Sequence, residues 1–278
     1  NELEQIRTFM DARRIFIEGE VERLLGPPGA TTLATSKGTI EATHSSLYIS
    51  EVLAINNGTE TIDGVNPDLF ELHNSGSSSL SLDGMTLSDD PSDPARYIFP
   101  SGTTIPAGGY LVIHGGLPLS LPGLYTGFNL NGQGETLSLY NSAANGGALI
   151  DAITFGIQIP DFSIGRTGPG TTTWQLCSPS FGEANQGLSL GSPSQLRINE
   201  WMSQSGSVFE NDFIELYNPS SQPISLGSLF ISDEPVNYPA KHQITNLSFI
   251  GANGFPRLIP LGSSANPNRA DELPFRLA

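Results

Sequence analysis

At 278 residues the chain has room for two domains of ordinary size. Its 28 acidic residues against 12 basic ones give a net charge of −16, which repels phosphate backbones and argues against nucleic acid as a partner. Only 14% of residues are charged, while 31 Gly and 21 Pro favour short strands and many turns over helical bundles. A hydrophobic fraction of 37% is enough for packed cores. The lone cysteine, Cys177, excludes an internal disulfide framework and reads as a small buried hydrophobe. No apolar run reaches the length of a membrane span, so membrane insertion is not expected.

Residues 1–29 read as an amphipathic helix. Leu3, Ile6, Phe9 or Met10, Phe16 or Ile17, Val21 and Leu24 recur at three- and four-residue steps, and Gly26-Pro27-Pro28-Gly29 ends the pattern. Residues 30–46 are rich in Thr, Ser, Gly and Ala and read as a linker. From Leu47 the pattern changes to short alternating runs separated by turn residues every eight to twelve positions, the signature of a β-sandwich. The predicted strands are Leu47–Ile55, Leu69–Asn74, Leu80–Leu87, Tyr97–Phe99, Tyr110–His114, Thr136–Asn141 and Leu149–Phe155. A decorated final strand and tail follow, from Ile164 through Trp174 to Asn185.

The chain then repeats itself. Asp68-Leu69-Phe70-Glu71-Leu72-His73-Asn74 returns 144 residues later as Asp212-Phe213-Ile214-Glu215-Leu216-Tyr217-Asn218. Leu47-Tyr48-Ile49-Ser50-Glu51 is echoed by Leu196-Arg197-Ile198-Asn199-Glu200, and Leu87-Ser88-Asp89 by Ile231-Ser232-Asp233. Such shared order marks a duplicated unit. The expected organisation is therefore all-β: one sandwich domain over 47–187, a linker over 188–195, and a second sandwich over 196–278. The second copy has no counterpart to the strands holding Thr136–Tyr140 and Ile150–Phe155. An open edge is expected there, from truncation, proteolysis or completion by another chain.

These motifs resemble the lamin tail domain in its bacterial form. The resemblance is carried by Ile49-Ser50-Glu51, Leu69-Phe70-Glu71-Leu72-His73-Asn74, Leu80 to Asp89, Ile105-Pro106-Ala107-Gly108-Gly109-Tyr110, and Gly134-Glu135-Thr136-Leu137-Ser138-Leu139-Tyr140. It implies immunoglobulin-like sandwiches of the kind appended to bacterial secreted or cell-surface proteins. Ile6-Arg7-Thr8-Phe9 and Arg13-Arg14-Ile15-Phe16 are similar to the closing helix of a CotH-type kinase domain, which implies a catalytic domain ahead of Asn1.

No HExxH, GxSxG or P-loop is present, and His44, His73, His114 and His242 lack metal-ligand spacing, so no catalytic centre is expected in this chain. His73 and His114 read as strand-end rim residues. The repeated carboxylates Glu51, Glu71, Glu200 and Glu215 read as a solvated outer face or as partners of Arg or backbone N–H groups, because alternation turns them away from Phe70 and Leu72. Asp89, Asp90 and Asp93 are the best acidic cluster, with calcium as the one cofactor considered. Trp201, Trp174 and Tyr238 are the candidate binding aromatics, although core packing is the default for Trp201. The expected function is a non-catalytic tandem module for adhesion, anchoring or spacing, with a protein or polysaccharide ligand. The alternative is an accessory region that binds substrate for, or positions, a secreted enzyme.

Overall fold

The computed structural model describes residues 46–168, 173–203 and 211–277. The predicted helix over 1–29, and the linker over 30–46 save its last residue, lie outside the described residues. All described residues fall in one compact unit, 39–278.

The fold is all-β and predominantly antiparallel, an immunoglobulin-like sandwich arrangement. In the first repeat one sheet runs in the order β11 (Thr173–Cys177), β10 (Ser163–Thr167), β1 (Leu47–Leu53), β2 (Leu69–Asn74), β7 (Tyr110–His114). The facing sheet runs β5 (Tyr97–Ile98), β4 (Thr86–Ser88), β8 (Glu135–Tyr140), β9 (Leu149–Phe155), and β3 (Leu80–Ser81) pairs with β6 (Thr104–Ile105) in a small ribbon. The apolar members of each alternation meet between the sheets: Ile49, Phe70, Leu72, Leu87, Phe99, Ile113, Leu137 and Phe155 are all buried. Each such side chain contributes about 2 kcal/mol by leaving water. The predicted strand Leu80–Leu87 is in fact two. Leu82 to Met85 make a turn closed by Met85 N–H on the Leu82 carbonyl (2.9 Å), with Gly84 at φ 70°. A positive φ is what glycine adopts without steric cost.

The second repeat builds β12 (Arg197–Met202), β13 (Phe213–Tyr217), β18 (Arg257–Pro260) and β19 (Glu272–Leu273) into one sheet. Two ribbons accompany it, β14 (Ile224–Ser225) with β17 (Phe249–Ile250) and β15 (Phe230–Ile231) with β16 (His242–Gln243). Residues 255–259 depart from the apolar pattern of their counterparts, yet three of them, Arg257, Leu258 and Ile259, begin β18. The duplicated motifs occupy equivalent positions. Glu51 faces Glu71 across β1 and β2 after a bulge at Ser50, and Glu200 faces Glu215 across β12 and β13 after a bulge at Asn199. Phe70 pairs with Ile113 and Ile214 with Leu258. Next along, His73 stacks on Tyr110 at 4.2 Å and Tyr217 on Phe255 at 4.4 Å.

The bulge corrects one expectation. Simple alternation turns Trp201 away from Ile198, but the extra residue at Asn199 resets the phase, so Ile198 pairs with Leu216 and Trp201 with Ile214 on the same, core-side face. Nor does Trp201 pack in a core, as its default reading had it. Among the described residues no strand of the second repeat takes the places of β8, β9, β10 and β11, so β12 is a sheet edge and β15 has β16 alone as neighbour. Ile198 and Trp201 are 62% and 68% exposed, whereas their counterparts Ile49 and Val52 are 0% and 1% exposed.

The two cores interlock where β9 runs out. Phe249 of the second repeat packs in the first core, and Ile157 of the first packs in the second. Phe249 N–H donates to the Ile157 carbonyl (2.8 Å), Ile157 N–H to Ser248 Oγ (3.1 Å) and Ala270 N–H to the Gln133 carbonyl (2.8 Å).

Candidate functional site

The outer face of β1 and β2 is where the repeated glutamates lie, and in the first repeat it is not solvated. Residues 178–187 fold back across it. Ser180 N–H donates to Glu51 (3.0 Å), Gly182 N–H donates to Glu71, and Asn185 Nδ2 donates to the Ser50 carbonyl (3.0 Å). Ser163 Oγ adds a 2.5 Å bond to Glu51. Close approach requires Gly165, since a Cβ there would lie 2.5 Å from Asn185 Cγ. Both glutamates are fully buried. Burial pushes the Glu71 carboxyl up to about 7, with the neighbouring Glu51 charge adding to the rise and the Gly182 N–H opposing it. Burial also raises Glu51, against its hydrogen bonds to Ser163 and Ser180. Glu71 Oε1 is buried with no hydrogen-bond partner.

In the second repeat the same positions are in a different state. Asn199 Nδ2 (2.8 Å) and Arg257 Nε (3.0 Å) donate to Glu215, and these bonds hold it below the usual carboxylate range, Asn199 first. Glu200 is exposed. The motif therefore encodes position, and the covering segment sets protonation.

A second polar centre ties the two sheets of the first repeat. Arg166 donates from Nη2 to both oxygens of Asp151 (2.7 and 2.8 Å) and from Nε to the Ile49 carbonyl (2.9 Å), while Ile49 N–H donates to Asp151 (2.8 Å). The guanidinium lies 4.8 Å from the Trp174 ring and 5.5 Å from the Tyr48 ring. At the end of the motif, the buried Asn74 side chain donates to the carbonyls of Ser78, Ile105 and Pro106 and accepts from Gly76 N–H. Asn218 does the same for Gln222 and Gly251, accepting from Ser220 N–H.

Residues 41–156 match the family model of the Lamin Tail Domain. The matched stretch holds β1 to β9, with the bulge, Glu51, Glu71 and Asn74. No curated protein matches the chain. The lamin tail domain is an immunoglobulin-like structural family, and the matched stretch folds accordingly as a β-sandwich. The tail that seals Glu51 and Glu71, with β10, β11 and the whole second repeat, lies beyond the matched residues.

The three aspartates considered for calcium do not converge. Asp89 is engaged by Arg96 (2.5 Å), Asp90 accepts from the N–H and hydroxyl of Ser92 in a local turn, and Asp93 offers its backbone carbonyl to Ser88. Among the described residues no group of three or more His, Cys, Asp or Glu is arranged to hold a metal. The candidate aromatics are likewise separate. Trp174 is half-buried against Arg166, Trp201 sits on the open edge, and Tyr238 is exposed in the loop between β15 and β16. Cys177 is buried, and burial lifts its thiol to about 11, which leaves it protonated.

His73 is the rim residue predicted, half-buried and bonded through Nδ1 to the Tyr48 hydroxyl (2.6 Å). His114 is not. It is buried against Tyr125, with Nε2 3.3 Å from the Glu60 carboxylate, because residues 124–126 pack over the end of β7. Beside the joint between the repeats lies a cleft of about 630 Å³, whose lining includes Gln133, Gln158, Phe255, Arg257 and Arg269.

Proposed function

We propose that the chain is a rigid, non-catalytic tandem β-sandwich module of a secreted or cell-surface protein, with domains over 47–187 and 196–278, serving adhesion, anchoring or domain spacing. The observation that carries this reading is the joint. Backbone hydrogen bonds and exchanged core residues run from one repeat into the other, where independent modules on a flexible linker would share neither. A spacer of this kind transmits position without chemistry. The half-buried pair Asp151 and Arg166 and the two buried capping asparagines are spent on holding strands and loops together.

Small-angle scattering tests the mechanical part. A rigid spacer gives one intramolecular distance distribution across salt and temperature below unfolding, whereas a distribution that broadens as two bodies move independently would exclude it. Surface location is tested by antibody labelling of intact cells, and labelling that requires permeabilisation would count against it. The accessory reading has its own support in the cleft beside the joint, whose mixed apolar and amide lining suits a polar ligand such as an oligosaccharide. Saturable signals on a glycan array would favour that reading over a purely mechanical one.

A further inference from the structure

The cleft beside the joint is walled by parts that the two repeats share. On one side run residues 157–160 of the first repeat, with Gln133. On the other run the turn ahead of β18, β18 itself and the approach to β19. These second-repeat walls repeat the bonds of the first. Gly254 N–H closes on the Gly251 carbonyl (3.0 Å) as Gly109 N–H does on Pro106 (3.0 Å). Ile259 N–H donates to the Asp271 carbonyl (2.6 Å) as His114 N–H does to Leu124 (2.9 Å). The volume of about 630 Å³ falls within the range of small-ligand clefts, about 300–1,000 Å³.

What the cleft offers a ligand is polar without unmatched charge. Gln158 donates from Nε2 to the carbonyls of Gly156 (2.8 Å) and Leu247 (2.7 Å), which fixes the amide and leaves Oε1 unengaged among the described residues. The Gln133 side chain makes no hydrogen bond among them, although its backbone carbonyl accepts from Ala270 across the joint. Both guanidiniums are matched, Arg257 by Glu215 (3.0 Å) and Arg269 by Asp271 (2.6 Å) and Glu272 (3.1 Å). Beside them Phe255 is 51% exposed, its ring held flat against Tyr217.

We propose that this cleft binds a short neutral oligosaccharide of flat, equatorially substituted pyranose rings, which stacks on Phe255 and hydrogen-bonds to Gln133 and Gln158. The proposal rests on the accessory reading above and names its ligand. An exposed aromatic face takes the apolar C–H face of a sugar. An amide already fixed by the fold accepts from a sugar hydroxyl with little ordering cost. Acidic sugars are selected against, because the ion pairs leave the lining no unmatched cation and the chain bears −16. Since Gln133 and Gln158 belong to one repeat and Phe255 to the other, the bound sugar bridges the joint and stiffens it.

The test is calorimetry on the full chain, with cellotriose and chitotriose as neutral probes and trigalacturonate as the acidic one. Saturable binding of a neutral probe is expected, unchanged between low and high salt, with slower amide exchange at Ile157, Phe249 and Ala270. Phe255→Ala is expected to weaken binding about tenfold and Gln133→Ala about fivefold. Gln133→Ala removes a side chain that makes no bond in the fold, so its loss of affinity reports contact with the sugar. Neutral binding untouched by both substitutions would overturn the site. Its loss in Trp201→Ala or Tyr238→Ala would then place the sugar elsewhere and leave the accessory reading standing. Tighter binding of trigalacturonate, weakened by salt, would overturn the ligand class. No saturable heat with any probe up to about 1 mM would overturn the proposal, and an empty glycan array would take the accessory reading with it.

Discussion

Glu71 and Glu215 are the same residue of the same motif, and they differ because of what lies over them. Glu215 meets Asn199 and Arg257 and stays ionised, whereas Glu71 is sealed beneath residues 178–187 next to Glu51. The sign of the resulting pH dependence follows directly. Glu71 has an ordinary value of 4.5 and sits at about 7 in the fold. Its contribution to stability is fully present below the ordinary value and is lost as pH rises through the folded one. Glu135, also lifted to about 7 by burial, and Asp68, lifted from 3.8 to about 6, act in the same direction. The thermal midpoint is therefore expected to fall between pH 5 and pH 8. Glu71→Gln and Glu135→Gln should flatten that fall and raise the midpoint at pH 8 by a few degrees. Melting curves across this window decide it, and a midpoint that climbs with pH would contradict the assignment. The carboxylates held low by hydrogen bonds, such as Asp63 and Asp233, exert their effect below pH 4, outside the window.

At the scale of strands and loops, the sequence was most readable where alternation and repetition coincide. β2 is found at the predicted residues because Leu69–Asn74 alternates cleanly and recurs, and β7 because Tyr110–His114 is a short apolar run bounded by Gly109 and Gly115. β10 reads poorly because Ser163-Ile164-Gly165-Arg166-Thr167 has one apolar residue in five, and its strand character comes from neighbours on both sides. Two further features left no local signal. A bulge inserts one residue without a signature composition, which misplaced Trp201, and a covering tail of Ser, Gly and Asn looks like any loop, which hid the burial of Glu51 and Glu71. The asparagine closing each motif was visible as a repeat but not as a cap, since the carbonyls that bury it, those of Ile105 and Pro106 for Asn74 and of Gly251 for Asn218, are distant in sequence. Each makes hydrogen bonds that nothing else in reach would replace, so Asn74→Ala and Asn218→Ala are each expected to cost about 1–3 kcal/mol. Urea denaturation measures this, with the exposed Asn57→Ala expected to change stability by less than about 0.5 kcal/mol. Near-neutral results at both capping sites would show that the loops hold themselves.

For the whole molecule, what matters is whether the two repeats move as one. Their joint turns on Gly156, where a Cβ would lie 1.9 Å from Ser248 Oγ and 3.1 Å from Ala270 Cβ. Neither neighbour can give way cheaply, because Ser248 is fully buried and its hydroxyl accepts from Ile157 N–H. Gly156→Ala must therefore wedge the repeats apart, at an expected cost of about 1–3 kcal/mol by overpacking. The companion change Ser248→Ala removes the nearest clashing atom and also one hydrogen bond, worth about 1 kcal/mol. If the joint is the seat of rigidity, the double variant should recover part of the stability lost in Gly156→Ala, and scattering should show the single variant broadened and the double variant compact. Were Gly156→Ala to melt and scatter like the unsubstituted chain, the repeats would be joined elsewhere, and the spacer reading would lose its structural basis. The same experiment separates joint from core. A wedge at Gly156 should raise amide exchange at Ile157, Phe249 and Ala270, whose N–H groups make the crossing bonds, and leave the pairing of β1 with β2 protected.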